Sequence, residues 1–309
     1  MKKTMIFPIL VFGLTVLIGC SKQNPVSPVS QSSTAPSAPT FVTWSTLVVN
    51  PMGIAADSMG NLYVADSGEN QILKFNSHGN LLAHWGKSGI HDNSLFFNQI
   101  FSLAVDSSSN LYVADAGMDK VMKYSVDGVL LGQWGQAGSG AGQLRYPFGV
   151  AVDRSGTIYL ADSFNARIQK LALGQSAFTQ VTPVGLLQEP VGLTLDGQGN
   201  IITTDYNANV LVKYNETTGA STTIGGPGSG QGQFLNPTSV LLDGSGNILV
   251  VDYNNNRVQM LDPQGSYLKE WGTSGPSDWR LKYPVGAVIS EGFLYVTDSG
   301  NHRIVKYSL

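Results

Sequence analysis

The sequence repeats itself six times, and this feature constrains the fold more than any other. A line of fifteen residues, NLYVADSGENQILKF at positions 61–75, has related copies at 110–124, 157–171, 200–214, 247–261 and 293–307. Each copy contains one aspartate at the same point, and successive aspartates are 49, 47, 43, 47 and 46 residues apart. Such a period indicates a repeat architecture, in which each unit buries its faces against its neighbours. We therefore predict one repeat domain rather than the two domains that 309 residues would otherwise suggest.

Each unit contains four short apolar runs, rich in Val, Ile, Leu and Tyr and bounded by Gly, Asn and Asp. Runs of this kind are typical of β-strands. The turn between the first two runs is Asp-x-x-Gly-Asn at 57–61, 196–200 and 243–247, which suits a tight hairpin. No part of the repeat region shows a helical period. The prediction is an all-β fold, a six-bladed β-propeller of four-stranded antiparallel blades.

Four tryptophans indicate how the ring closes. Trp85, Trp134 and Trp271 end the fourth runs of units one, two and five, whereas unit six stops at Leu309 after its third run. The missing run is at the other end of the chain, in TFVTWST at 40–46, which contains Trp44. We predict that residues 40–309 form the propeller and that its N-terminal segment is the outer strand of the last blade. This closure would remove the exposed edge between the first and last blades.

The repeats resemble those of the NHL family, which is named for an Asn-His-Leu pattern. The best match is Asp298-Ser-Gly-Asn301-His302-Arg303-Ile304, and the segments beginning at Asp162 and Asp252 are similar to it. The resemblance extends over residues 41–309 and implies the propeller fold. It implies no single activity, because this repeat occurs in binding proteins, sensor domains and several enzymes. Residues that recur in most units are expected to hold loops and blades together, whereas a ligand site is expected where the repeat is broken.

The N-terminus is predicted to be a lipoprotein signal peptide, residues 1–19. Lys2 and Lys3 precede an apolar run of thirteen residues, 6–18, which is too short to span a bilayer comfortably. The run ends in Leu-Ile-Gly-Cys, which resembles a bacterial lipobox with Cys20 as the lipidated residue. Residues 20–39 would then form a tether rich in Pro and Ser. The expected location is extracytoplasmic and lipid-anchored, at the outer membrane in a Gram-negative cell because Ser21 rather than Asp follows the cysteine.

Charge and composition narrow the choice of partners. The formal net charge is −3, which argues against nucleic acid, since phosphate binding needs a basic surface. The single cysteine excludes an intrachain disulfide and a zinc site built from cysteines. We expect no cofactor, although Asn254, Asn255 and Asn256 form one candidate Ca²⁺ cluster for which a turn is the simpler interpretation. The propeller is expected to be a monomer that contacts a membrane only through its lipid anchor.

Loop length assigns the binding face. The long connections between units emerge at one end of the channel, together with those between second and third strands, and the other face carries short hairpins. Aromatic and basic residues in these connections suit an unidentified protein, peptide or carbohydrate ligand. The candidate ligand-binding residues are Arg145, Tyr146, Phe148, Phe101, Phe164, Tyr206, Tyr253, Lys282 and Tyr283. Packing in the channel is the alternative role for Phe101 and Phe148.

The function predicted from the sequence is a ligand- or protein-binding module on a lipid-anchored propeller. No catalytic set is evident: the four histidines lie outside the inner strands, and no Ser/His/Asp or phosphate-binding pattern is present. The alternative is a hydrolase or lyase, similar to lactonase propellers, with a divalent metal in the central channel. Whether the protein is an enzyme is left open, with binding preferred.

Overall fold

Six small antiparallel sheets follow one another along the chain, and each uses its strands in sequence order. The computed structural model describes residues 47–86, 97–273 and 279–309. Five sheets contain four strands, and the last contains three within these residues. The predicted all-β, six-bladed propeller is confirmed.

The strands of all blades occupy equivalent positions, and most of them are five to seven residues long. The inner strands are β1 (Pro51–Ala56), β5 (Ile100–Val105), β9 (Pro147–Val152), β13 (Pro190–Leu195), β17 (Pro237–Leu242) and β21 (Pro284–Ser290). The second strands are β2 (Leu62–Asp66), β6 (Leu111–Asp115), β10 (Ile158–Asp162), β14 (Asn200–Asp205), β18 (Ile248–Asp252) and β22 (Phe293–Asp298). The third strands are β3 (Gln71–Phe75), β7 (Lys120–Tyr124), β11 (Arg167–Leu171), β15 (Val210–Asn215), β19 (Arg257–Leu261) and β23 (Arg303–Ser308). The outer strands are β4 (Leu81–Trp85), β8 (Leu130–Trp134), β12 (Thr179–Gln180), β16 (Ser221–Ile224) and β20 (Tyr267–Trp271).

Short 3-10 turns occur in the second-to-third connections of three blades. Three 3-10 turns are found there, at Ser163–Asn165, Tyr253–Asn255 and Ser299–Asn301. Among the described residues, no helix is long and apolar enough to span a membrane.

Small residues allow the inner strands to approach each other around the axis. Each inner strand packs against the inner strands of both neighbouring blades. A Cβ on Gly149 would lie 2.1 Å from the carbonyl oxygen of Val191, and one on Gly192 would lie 2.6 Å from that of Thr238. Glycine is therefore required at these points, because any side chain would separate adjacent blades.

The first and last blades meet directly. Thr297 Oγ1 in β22 donates a 2.6 Å hydrogen bond to the carbonyl of Met52 in β1. Val64 of blade one packs in the same core cluster as Tyr295 and Ile304 of blade six. The ring is thus closed around its axis. Trp44 and the predicted closing strand at 40–46 lie outside the described residues.

The core lies between blades rather than within any one of them. Side chains of blades one and two share one cluster, in which Tyr63 meets Trp85 edge-on at 6.3 Å and Phe97 meets Tyr124 at 5.7 Å. Trp85 and Trp271 are buried at the ends of their outer strands, and Trp134 is half-buried against the next blade. Burial of large aromatic surface at these positions stabilises the seams between blades.

Candidate functional site

The repeated aspartates are structural. Each ends a second strand, is fully or almost fully buried, and accepts backbone N–H bonds from the connection that enters its own blade. The N–H of Arg145 donates to Asp162 at 2.6 Å, and that of Lys282 donates to Asp298 at 2.6 Å. These bonds fix the loops ahead of the inner strands, which include the predicted basic residues. The structural role predicted for the aspartates is confirmed.

Three arginines complete the same arrangement. The Nε atoms of Arg167, Arg257 and Arg303 lie 2.8, 2.9 and 2.6 Å from the aspartate that ends the preceding strand. In blades three and five the guanidinium also donates to two carbonyls of the long connection that enters the blade. The arginines therefore fasten each connection to its own blade.

A bulge at the start of every inner strand shapes the channel mouth. The pairing with the second strand shifts register close to the first residue of the inner strand in all six blades. A bulge changes the direction of the side chains near it. Phe101, Phe148, Val191, Thr238 and Val285 follow the bulge and line a narrow axial cavity of about 100 Å³.

The two phenylalanines predicted at the mouth pack on each other. The rings of Phe101 and Phe148 are 4.4 Å apart, and both side chains are buried. Phe148 also meets Phe164 edge-on at 5.9 Å. Phe101 and Phe148 therefore pack at the end of the channel, which is the alternative role considered for them.

Aromatic rings continue around the rim. Tyr146 stacks on Phe164 at 4.6 Å in blade three, and Tyr253 lies 5.3 Å from Tyr283 across blades five and six. Tyr283 is 43% exposed. Burial raises the pKa of Tyr206 to about 12, with the negative charge of Glu189 as the second cause. Burial raises the pKa of Tyr253 as well, followed by its neighbours Tyr206 and Tyr283.

Two of the predicted residues are cationic and exposed. Arg145 and Lys282 occupy equivalent places ahead of β9 and β21, in blades that are opposite each other in a six-membered ring. Neither side chain forms an ion pair within the part of the chain that the structure describes. The Arg145 charge acts on Asp119, whose pKa it lowers against the larger effect of burial.

Glu189 is a residue of the mouth that sequence reasoning missed. It directly precedes β13, the place held by Tyr146 ahead of β9 and by Tyr283 ahead of β21. The residue is 8% exposed, its Oε2 accepts a 2.5 Å bond from Asn207, and its Oε1 has no hydrogen-bond partner. Burial raises the pKa of the Glu189 carboxyl, the Asn207 bond opposes this shift, and the nearby Asp205 adds to it. The signal in the sequence was an acid at a position that is aromatic in units three and six.

The asparagine cluster forms turns. Asn255 donates to Asp252 and to the carbonyl of Gly228, and Asn256 accepts the backbone N–H of Tyr283 at 2.7 Å. Asn254 donates to Asn236. Among the described residues, no three His, Cys, Asp or Glu side chains converge as metal ligands.

A larger cavity lies on the opposite face, where only short hairpins were expected. It measures about 560 Å³ between blades three and four and includes Asp153, Tyr159, Asp196 and Glu216 in its wall. Its charged groups largely satisfy one another: Glu216 accepts bonds from Tyr159 and Lys170 at 2.9 and 2.8 Å, and Lys213 pairs with Asp196 at 3.4 Å. Loop length did not predict this cavity. The charged side chains in its wall have partners, whereas Oε1 of Glu189 at the mouth has no hydrogen-bond partner.

These features define a six-bladed propeller with an aromatic channel mouth. The family model of the NHL repeat matches residues 49–75, 144–171 and 281–307, which lie in blades one, three and six. The chain thus contains three NHL repeats within its six-bladed β-propeller. A comparison with curated proteins finds no match.

Solved structures with the same fold include enzymes. Virginiamycin B lyase from Staphylococcus aureus is 14% identical with a TM-score of 0.58, over 87% of this chain and 87% of that one. A gluconolactonase from Xanthomonas campestris is 16% identical with a TM-score of 0.66, over 93% and 99%. A Bacteroides thetaiotaomicron protein of unknown function is 17% identical with a TM-score of 0.68, over 88% and 73%. At these identities the similarity shows the fold alone.

Proposed function

We propose that the protein is a binding module whose ligand, a protein, peptide or carbohydrate, docks at the channel mouth. The observation that carries this proposal is the run of partly exposed rings formed by Tyr146, Phe164, Tyr253 and Tyr283. The blade seams contain their own buried aromatic residues, so these rim rings are additional to what packing needs. Flat apolar faces with polar edges are suited to holding sugar rings and aromatic or aliphatic side chains.

A ligand screen with matched variants tests this proposal. Purified residues 21–309 would be screened by thermal shift against oligosaccharides and short peptides. Replacing both Tyr253 and Tyr283 by alanine should weaken any genuine hit at least about tenfold, since each ring contributes on the order of 1 kcal/mol. Tyr267→Ala, on outer strand β20, is the control. If the double variant binds a hit as tightly as the wild type does, the binding site lies elsewhere.

The basic residues give a second test of the same site. Arg145→Ala combined with Lys282→Ala removes two exposed charges and should leave stability within about 0.5 kcal/mol. An anionic hit should lose affinity in the double variant, and the loss should diminish at high salt. Undiminished binding of anionic hits would remove both residues from the proposed site.

The alternative is a lactonase-like hydrolase or a lyase with a divalent metal in the channel. The solved structures with this fold include a virginiamycin B lyase and a gluconolactonase. Metal analysis of dialysed residues 21–309 distinguishes the two functions: stoichiometric Ca²⁺ or Zn²⁺ would favour the enzyme.

We also propose that Cys20 carries a lipid and that residues 20–39 hold the propeller away from an extracytoplasmic membrane surface. The support is the position of the only cysteine at the end of the apolar run. Cys20→Ala should abolish labelling with radioactive palmitate and leave unprocessed precursor, whereas Ser21→Ala should change neither. Normal labelling of the Cys20 variant would disprove the anchor.

A further inference from the structure

Blade four carries buried acidic groups without a cation. In blades three, five and six an arginine pairs with the buried aspartate, but in blade four the paired position opposite Asp205 is Val210. Asp205 instead accepts three backbone N–H bonds, from Gln188, Glu189 and Ala208. Within the described residues no salt bridge reaches Asp205 or Glu189.

Of these two acids, Glu189 is the one left unsatisfied. Its carboxylate receives a single hydrogen bond, to Oε2 from Asn207, although two oxygens offer about four acceptor sites. Burying a carboxylate without a partner costs several kcal/mol. The bare oxygen is Oε1, on a residue that immediately precedes an inner strand at the mouth.

An aromatic residue adjoins Glu189. The backbone N–H of Tyr206 donates to the carbonyl of Glu189 at 2.9 Å, which places the two residues side by side. On the neighbouring blades the rings of Tyr253 and Tyr283 lie 5.3 Å apart. A carboxylate next to a tyrosine can provide both a counter-ion and a cation–π surface.

Resting on the proposed binding function, we infer that the mouth binds a ligand through a cationic ammonium group placed against the Glu189 carboxyl beside Tyr206. An ammonium donates hydrogen bonds and cancels the unpaired charge, which a neutral sugar hydroxyl or an anion does not do. Among the described residues Arg145, the rim cation on the adjacent blade, forms no salt bridge with either acid of blade four.

The experiment compares two probes of equal shape, 2-phenylethylammonium and 2-phenylethanol. Both are titrated at pH 7 into purified residues 21–309, and dissociation constants are taken from amide chemical shifts of Tyr206 and Tyr253. The wild type should bind the ammonium at least about tenfold more tightly than the alcohol. Glu189→Gln should remove this preference and Glu189→Asp should retain part of it. Glu291→Gln, an exposed acid in a hairpin of the opposite face, should leave it unchanged.

The outcomes separate this inference from the binding function. Equal affinity of the wild type for both probes, no binding of the ammonium, or an unchanged preference in Glu189→Gln would overturn the ammonium site. The binding function fails instead if screen hits do not depend on Tyr253 and Tyr283, whatever Glu189 does. Circular dichroism and melting of each variant show whether the fold is retained, and Glu189→Asp provides the comparison if Glu189→Gln unfolds.

Discussion

The Nε of Arg257 lies 2.9 Å from Oδ2 of Asp252, and the same guanidinium donates to the carbonyls of Gly230 and Gln233 at 2.7 and 3.0 Å. Both side chains are buried. One arginine therefore joins the second strand of blade five to the connection that enters the blade. The pairs Asp162–Arg167 and Asp298–Arg303 repeat the ion pair in blades three and six.

Loss of this arginine should be costly. Arg257→Met leaves the Asp252 carboxylate without its ion-pair partner and removes one donor from each of two carbonyls, so we expect a loss of about 3–5 kcal/mol in the free energy of unfolding. Urea denaturation measures this change. Arg154→Met, which removes an exposed arginine from a hairpin, should cost less than about 0.5 kcal/mol. Similar losses in both variants would contradict the assigned role.

Blade two has no arginine at the equivalent position, so the stability of the protein should depend on pH through Asp115. Burial raises the pKa of Asp115 to about 7, against the backbone N–H bonds of Asn98, Met118 and Gly117 that lower it. Lys120 occupies the arginine position but bonds to Gln133. The folded chain holds the Asp115 proton more tightly than the unfolded chain does. The contribution of Asp115 to the free energy of unfolding is therefore largest below about pH 4 and declines as the pH rises towards 7.

Lys120→Arg should supply the missing partner. The guanidinium favours the charged carboxylate, so we expect a gain of about 1–2 kcal/mol at pH 8 and a smaller gain at pH 5. Chemical denaturation at the two pH values measures both. Asp115→Asn should remove the pH-dependent difference, and Lys213→Arg, on a partly exposed ion pair, should show none. An equal gain at both pH values would mean that Asp115 is not the group involved.

The sequence predicted the fold because a propeller repeats the same local structure in every blade. The period, the four apolar runs and the turn residues all recur, and each copy reinforces the assignment. The aspartates were correctly predicted as structural for the same reason. Glu189 was not found, because its burial and its unpaired oxygen arise only when the loop before β13 packs in the assembled blade. The hairpin-face cavity depends on the spacing of two blades, which no local pattern encodes.

Ala166 departs from the repeat, and its replacement by the residue typical of that position should stabilise the protein. Ala166 ends a 3-10 turn with φ of 53°, in the left-handed region, where four of the five equivalent residues are Asn or Asp. Asn209 and Asn256 accept the backbone N–H ahead of the next inner strand, at 2.7 Å in both cases. Alanine provides no acceptor and is disfavoured in this conformation. Ala166→Asn should raise the free energy of unfolding by about 0.5–1 kcal/mol, and Ala177→Asn in an exposed loop should not. A lower melting temperature of Ala166→Asn than of wild type would show that the loop cannot accept the amide.

The last prediction concerns the outer strand of blade six. Within the described residues β23 pairs with β22 on one side only, whereas β3, β7, β11, β15 and β19 each pair on both sides. If residues 40–46 supply the missing strand, deletion of 21–39 should leave the melting temperature unchanged, and deletion of 21–46 should lower it. Trp44→Ala alone should cost about 3–5 kcal/mol, as for a tryptophan removed from a core. Equal melting temperatures for the two deletions, together with a neutral Trp44→Ala, would show that this segment belongs to the tether and that blade six has three strands.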